Sequence, residues 1–416
     1  MNKQSSFLKN FLVLFSGNTM AQVIVIAVSP ILTRLYAPDD FGMFSVYSSI
    51  LIVLLTFSSL CLEKAIPIEK NQRNVVQLVY ISCITISIVA ILNTVLYAAF
   101  DWSLFTVFQV KTNIWLQLLL SCALVFAGVY QVLSYQAIRQ KEYREITASK
   151  MGQSFGTAGG QVGLAFVPGM FSGLIIGDVI GRFFGLVMLT QRFLKTNPLQ
   201  KIRPKRMKYL LWKYREYPLF STLSTLCNSL SLQLVILLLM SFYGSEVVGY
   251  YSLTQKAIGV PITLIGIAIS QVFYGEAAEK GKTDRASVYA LYMTIIKRLS
   301  MVAVPAIIVL VFVAPSLFGF VFGEEWTRSG EFVQYVSFLF LGQLIFMPVS
   351  QVLYATGHQK MQLMWDVGRC IIVFAGMYLL HMMGASVEVV LIYFGTVMGL
   401  SYFVLGYMGW LVLRTK

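Results

Sequence analysis

Residues Leu32–Ser45 read L-T-R-L-Y-A-P-D-D-F-G-M-F-S and lie between two long apolar runs. Arg34, Asp39 and Asp40 are costly in hydrocarbon, and Pro38 cannot continue a helix interior. The stretch therefore predicts a tight turn at a membrane surface, closing one span and opening the next. It has an echo roughly half the chain later, where Tyr243–Ser252 reads Y-G-S-E-V-V-G-Y-Y-S against Y-A-P-D-D-F-G-M-F-S at Tyr36–Ser45. A second echo follows in the same order. Q-V-L-S-Y (Gln131–Tyr135) followed by R-Q-K (Arg139–Lys141) matches Q-V-L-Y (Gln351–Tyr354) followed by H-Q-K (His358–Lys360). Together they predict a duplicated half, an arrangement many secondary transporters use.

Composition fixes the class. Hydrophobic residues make up 57% of the 416 and charged residues only 12%, about half the share of a soluble domain. Mean hydropathy is +0.73. Continuous apolar runs of about 20 residues suit helices crossing a bilayer, not the alternating segments of a membrane β-barrel. The expected fold is an all-α polytopic membrane protein. Net charge is +14, but the basic residues sit in short loops between spans, so topology rather than nucleic acid accounts for them. The five cysteines (Cys61, Cys83, Cys122, Cys227, Cys370) fall in or beside apolar spans without metal or redox spacing and read as small buried residues. The N-terminal segment, lacking a small-residue cleavage site, is expected to be an uncleaved first helix.

Twelve spans are expected: 9–32, 42–62, 75–98, 114–136, 151–168 and 171–194, then 217–241, 249–273, 289–313, 331–354, 363–383 and 388–412. With both termini in the cytoplasm, that face collects Lys64, Lys70, Arg73, Arg139, Lys141, Arg144, Lys150, Lys280, Lys282, Arg285, Lys297, Arg298, Lys360, Arg414 and Lys416. The opposite face keeps Arg34, Lys111 and Arg328, an asymmetry that sets the orientation. The expected organisation is a bundle over 1–194, a basic connector over 195–216 and a second bundle over 217–416. From Pro204 onward, Met207, Leu210, Leu211 and Tyr214 can share one helical face, predicting an amphipathic helix lying on anionic lipid, with a flexible basic linker as the alternative.

Few charges fall inside the expected spans: Asp178, Arg182, Lys256, Asp366 and Arg369. Each should face protein or a water-filled cavity. Asp178 and Arg182 are four apart and Asp366 and Arg369 three apart, so each pair shares a helical face and can neutralise itself in place. The same spacing leaves Arg182 and Arg369 as candidate cavity cations and Asp178 and Asp366 as candidate ion-coupling acids. Lys256 has no acid within a turn of sequence and precedes Gly259 and Pro261, which can bend the helix. A cation so placed suits an anionic ligand; the bland alternative is snorkelling to the nearby surface. The first span carries Asn18 and Gln22, the seventh Asn228 and Gln233, each among serines and threonines. Such neutral donors and acceptors suit a sugar, although small polar residues also pack helices together. His358 and His381 are too isolated for a metal site, and no catalytic or nucleotide-binding motif is present. Gly-rich Ser154–Gly163 (S-F-G-T-A-G-G-Q-V-G) lies in an apolar span and reads as close helix packing or a hinge.

Three stretches carry a family resemblance: R-L-Y-A-P-D-D-F-G-M-F-S (Arg34–Ser45), L-F-G-F-V-F-G-E-E-W (Leu317–Trp326) and A-T-G-H-Q-K (Ala355–Lys360). In them the chain resembles the Wzx-type polysaccharide flippases, O-antigen and capsule translocases of the multidrug/oligosaccharidyl-lipid/polysaccharide exporter superfamily. The resemblance implies about twelve transmembrane helices in two pseudo-symmetric six-helix bundles forming a V-shaped exporter. It implies a bacterial inner-membrane location and transfer of undecaprenyl-diphosphate-linked oligosaccharide to the periplasmic leaflet by alternating access. No cofactor and no enzymatic step are expected. The expected partners are the lipid-linked substrate, the bilayer, and a polysaccharide polymerase with its chain-length machinery. In the related lipid II flippases, arginines on the first and eighth helices face the cavity. Here the first helix has Asn18 and Gln22, and the eighth supplies Lys256, with Arg34, Arg182 and Arg369 as the other candidate cations.

Two other readings compete. A cation-coupled multidrug antiporter of the same superfamily would want intramembrane acids without basic neighbours. A membrane polysaccharide polymerase or glycosyltransferase would want a large outer loop, whereas the outer loops expected here are under about twenty residues.

Overall fold

A computed structural model describes residues 3–108, 110, 112–167, 173–196, 201–280, 285–356 and 358–414. Among the described residues, all regular secondary structure is helical. Eight helices there are long and apolar enough to cross a bilayer: Pro38–Ser58, Gln72–Phe100, Ile114–Arg139, Gly173–Lys195, Ser245–Phe273, Arg285–Phe322, Lys360–Met382 and Val387–Arg414. The expected spans at 9–32 and 217–241 contain the shorter apolar stretches Thr19–Leu35 and Leu232–Tyr243. Those at 151–168 and 331–354 fall on more polar helices. Large apolar side chains stand outward along these helices, among them Ile88, Ile91, Leu92 and Val95, and Val309, Phe312 and Phe320. So broad an apolar surface belongs in lipid. The protein is a multi-pass membrane protein.

The chain forms two compact units, Met1–Val248 and Gly249–Lys416. The first holds α1 (Lys3–Leu35), α2 (Pro38–Ser58), α3 (Gln72–Phe100), the single turn α4 (Leu104–Val107), α5 (Ile114–Arg139), α6 (Tyr143–Leu164), α7 (Gly173–Thr196), α8 (Pro204–Lys213) and α9 (Thr222–Tyr243). The predicted break between the first two spans is present, and its residues explain it. Pro38 occupies the first turn of α2, where its missing N–H costs nothing. The Asp40 carboxylate accepts a hydrogen bond from the Ala37 amide at 3.1 Å, and both acids favour the positive end of the helix.

Packing inside this unit follows small and polar residues. The Gly-rich run packs α6 against α7: a Cβ on Gly160 would sit 3.0 Å from the Gly177 Cα, and one on Gly156 3.1 Å from the Gly181 Cα. The run is a close-packing surface, although the helix that carries it is more polar than expected. Tyr36 at the end of α1 donates to the Gln161 carbonyl at 2.7 Å, and the Gln161 amide donates to the Leu174 carbonyl at 3.0 Å. Between α3 and α5, Asn93 donates to Gln117 at 3.1 Å, and Thr94 and Ser121 share a hydrogen bond at 2.8 Å.

The connector helix α8 docks on protein. Leu210 is fully buried and Tyr214 nearly so, in a cluster with Leu62, Ile66, Leu78, Val132, Leu189 and Phe193. Leu211, expected on the same face, stands outward instead, because a docked helix turns the Met207–Leu210–Tyr214 stripe inward and Leu211 lies 100° around from Leu210. Glu69 fixes the far end of α8. Its carboxylate accepts from Lys213 at 2.6 Å and from Tyr214 at 2.8 Å. Burial acts to raise the Glu69 pKa, but the hydrogen bonds from Lys213, the Asn71 amide, Tyr214 and Asn74 outweigh it and hold the carboxyl at about 2.

The second unit holds α10 (Ser245–Thr254, whose first residues belong to the first unit), α11 (Val260–Lys280), α12 (Arg285–Phe322), α13 (Thr327–Phe346), the turn α14 (Val352–Ala355), α15 (Gln359–Met382) and α16 (Val387–Arg414). Gln255–Gly259 forms a π-turn that joins α10 to α11 without a break. The Leu317–Trp326 motif makes a structural corner: Gly323, at φ +110°, ends α12, and Trp326 is buried edge-on to Tyr250. A core of Phe273, Tyr292, Val349, Val352, Leu353, Leu405 and Val412 anchors the other end of this unit.

Candidate functional site

The first unit contains a cavity of about 480 Å³ whose lining includes Tyr130, Gln131, Ser134, Tyr135, Lys150, Gln153 and Arg182. Helix geometry explains the convergence. Tyr130 and Ser134, and Gln131 and Tyr135, are i, i+4 pairs on α5, while Ile146, Lys150 and Gln153 follow one face of α6. Arg182 comes from α7. Among the described residues, no carboxylate lines the cavity. The Arg182 guanidinium donates to Asp178 at 2.6 Å, and Tyr47 approaches the same carboxylate oxygen at 3.5 Å. Asp178 thus sits behind Arg182, fixing the guanidinium at the cavity wall. Two cations with phenolic, hydroxyl and amide groups around them can bind a polyanion carrying many neutral hydroxyls.

A smaller cavity of about 200 Å³ shares Leu55 and Gln131 with the first and adds Thr56, Cys61, Glu63, Lys64 and Thr225. Leu60 and Cys61 both adopt left-handed backbone angles, φ 55° and 53°. That costs on the order of 1–3 kcal/mol per residue and turns the chain sharply after α2. The turn brings Glu63 under hydrogen bonds from Ser59 at 2.6 Å and Gln131 at 3.1 Å. It also lets Lys64 donate to Thr225 of α9 at 3.1 Å. Above this cavity Thr56 donates to Ser229 at 2.9 Å. At the opposite end of α2 the two echoed breaks meet, as Ser245 donates to Asp39 at 2.5 Å.

The residues singled out by sequence are distributed as follows. Arg182 and Asp178 form their in-helix pair and reach the main cavity through Arg182. Asp366 and Arg369 pair at 3.1 Å, and Arg369 also lies over the Trp365 ring at 4.2 Å. Lys256 is half-buried within the π-turn of the second unit, where Gln255 donates to Tyr251 at 2.8 Å. Arg34 is exposed in the last turn of α1, a position that suits the helix dipole. Gln22 is exposed and Gln233 half-buried; the side chains of Asn18 and Asn228 lie outside the described residues. Gln22, Gln233 and Arg34 line neither of these two cavities. Sequence reasoning missed Gln131, Gln153 and Lys150 as cavity residues. Lys150 reads as an ordinary loop-end cation, yet its four-residue spacing from Ile146 and three-residue spacing to Gln153 was the available signal.

The family model described as "Polysaccharide biosynthesis protein" matches residues 31–331. The teichuronic acid biosynthesis protein TuaB of Bacillus subtilis (strain 168) is 26% identical over 149 residues, which cover 36% of this chain and 31% of that protein. The match thus spans about a third of the curated relative's length. Among solved structures, the lipid II flippase MurJ in an inward closed conformation gives a TM-score of 0.71 at 13% identity, over 96% of this chain and 86% of that one. An inward-facing multidrug resistance MATE family transporter of the MOP superfamily gives 0.64 at 14% identity, over 94% of each chain. These likenesses show that the chain shares the fold of those two proteins. Matched by the family model from the first break through α12, the chain belongs to the polysaccharide biosynthesis protein family.

Proposed function

We propose that the protein is a flippase that moves undecaprenyl-diphosphate-linked oligosaccharide, an O-antigen or capsule repeat unit, from the cytoplasmic to the periplasmic leaflet by alternating access. One observation carries this reading: the 480 Å³ cavity presents Lys150 and Arg182 among hydroxyl and amide groups, with no carboxylate among its described lining residues. A diphosphate-sugar headgroup crossing unaided would have to shed its hydration. A polar cavity with fixed cations replaces that hydration and concentrates the anion, while the polyprenyl tail stays in lipid. Lys150 and Arg182 take the diphosphate, and Tyr130, Gln131, Ser134 and Gln153 take the sugar.

In this reading all twelve expected spans cross the inner membrane as two six-helix bundles, 1–194 and 217–416, joined by the connector at 195–216, with both termini cytoplasmic. Support comes from the lengths of α1, α6, α9 and α13, each of 20 residues or more, enough to span about 30 Å. Lys256 and Arg369 serve the anion in the second half, and Asn18, Gln22, Asn228 and Gln233 add sugar contacts. Support for Lys256 is its π-turn, a helix irregularity frequent at functional sites. Asp178 and Asp366 are the coupling acids, each held beside an arginine.

The test is complementation of a deletion strain by Lys150→Gln, Gln153→Ala and Lys256→Ala. Lys150→Gln and Gln153→Ala should lower surface polysaccharide severalfold while the protein reaches the membrane in wild-type amounts. Full export by both cavity variants refutes the assignment of this cavity. Lys256→Ala reports separately on the second half.

A further inference from the structure

A second basic cavity, of about 300 Å³, lies apart from the one above and is lined by Arg73, Gln77, Lys201, Arg203 and Arg206. Arg73 stands in the first turn of α3, at the end of a membrane span. The other three cations come from the connector segment entering α8. They are held there by the start of α3. Gln77, only 2% exposed, donates to the Lys201 carbonyl at 3.0 Å and accepts from the Arg203 amide at 3.0 Å. The Arg206 guanidinium donates to Asn74 at 2.6 Å. A buried glutamine spent on both sides of one loop residue fixes the loop against α3. With the Asn74 bond, its effect is to hold four like charges around one concavity, with no carboxylate among the described lining residues.

Like charges gathered this way repel one another, and an anion seated among them would relieve that repulsion. Arginine's planar fork suits a phosphate ester above other anions. The level of the cavity identifies the source. In the same connector segment, Ile202, Tyr209, Leu211 and Trp212 expose apolar and aromatic surface. Aromatic side chains of this kind collect at the headgroup level of a bilayer. We infer that this cavity binds the phosphate headgroup of an anionic membrane lipid, docking the connector to the bilayer independently of the transport cavity. Basic pockets beside transmembrane helices are a recurrent means of lipid-phosphate recognition.

The test uses the full-length protein in non-ionic detergent and native mass spectrometry of retained phosphatidylglycerol against phosphatidylcholine. Arg73→Gln/Arg203→Gln removes two cations whose side chains make none of the anchoring bonds above, so folding is preserved and checked by an unchanged melting temperature. Each basic residue near an anionic headgroup is worth about a factor of five, so the double variant should lose about twenty-five-fold in phosphatidylglycerol retention. Lys205→Gln/Lys208→Gln, outside the cavity, should retain the lipid as wild type does. Equal retention by wild type and Arg73→Gln/Arg203→Gln overturns the site, and so does equal loss in both double variants. Inorganic pyrophosphate competing fully at micromolar concentration would overturn the lipid as its source and point to a soluble phosphate.

Discussion

Gly42 sits where the two echoed breaks touch, and replacing it by alanine should force them apart. A Cβ there would lie 2.6 Å from the Ser245 carbonyl carbon and nearer still to its oxygen. Carbon atoms need about 3.5 Å or more, so α2 must withdraw from the start of α10 by about 1 Å. That movement also lengthens the Ser245–Asp39 hydrogen bond, now 2.5 Å. Overpacking of this kind costs about 1–3 kcal/mol. Alanine gains about 0.5–1 kcal/mol in a helix interior over glycine, so α2 itself does not unravel and the loss falls on the contact. A penalty of 1–3 kcal/mol corresponds to a roughly 5–150-fold shift from the contact made toward the contact broken. The assay is oxidative crosslinking of Asp39→Cys with Ser245→Cys in a background without the native cysteines. Gly42→Ala should slow crosslinking by at least about fivefold, the lower end of that range. An unchanged or faster rate would refute the packing argument.

Other expected outcomes are as direct. Glu69 is held at about 2 against its ordinary 4.5, so its contribution to docking α8 is full above 4.5 and is lost as pH falls from there toward 2. Limited proteolysis of the connector should show this acid-dependent release in wild type, whereas Glu69→Gln should be cut readily at neutral pH without that dependence. Lys213 is raised above its ordinary 10.5, chiefly by its hydrogen bond to Glu69, so the same docking should persist up to at least that pH and fail only beyond it. Arg182→Gln alone strands a buried carboxylate and should cost about 3–5 kcal/mol, read as a drop in melting temperature in detergent. Asp178→Asn/Arg182→Gln should recover more than half of that loss. At Gly181 a Cβ would meet the Thr157 amide nitrogen at 2.6 Å. Gly181→Leu should therefore separate α6 from α7 and lower the yield of folded protein, while Gly163→Ala, with open space at its Cβ, should leave it unchanged.

Much of this protein was legible before any coordinates. Apolar run length gave the helices because a bilayer imposes one length and demands that each backbone satisfy itself locally. Pro38 with Asp39 and Asp40 gave the first break, and the glycines of Ser154–Gly163 gave a packing face, since both are local properties of the chain. The i, i+4 spacing of Asp178 and Arg182 gave their ion pair for the same reason. The site was only half visible. Arg182 was found, but Lys150, Gln131 and Gln153 were not, because they look like surface or repeat residues until α5, α6 and α7 close around one space. Leu211 was placed on the wrong side of α8 because the sequence names a helix but not its docking surface. Only the tertiary structure brought Arg73 together with Lys201, Arg203 and Arg206, more than a hundred residues away, through Gln77 and Asn74. Local chemistry is written along the chain, whereas a cavity is made by whichever helix faces happen to oppose one another, and that is decided by packing.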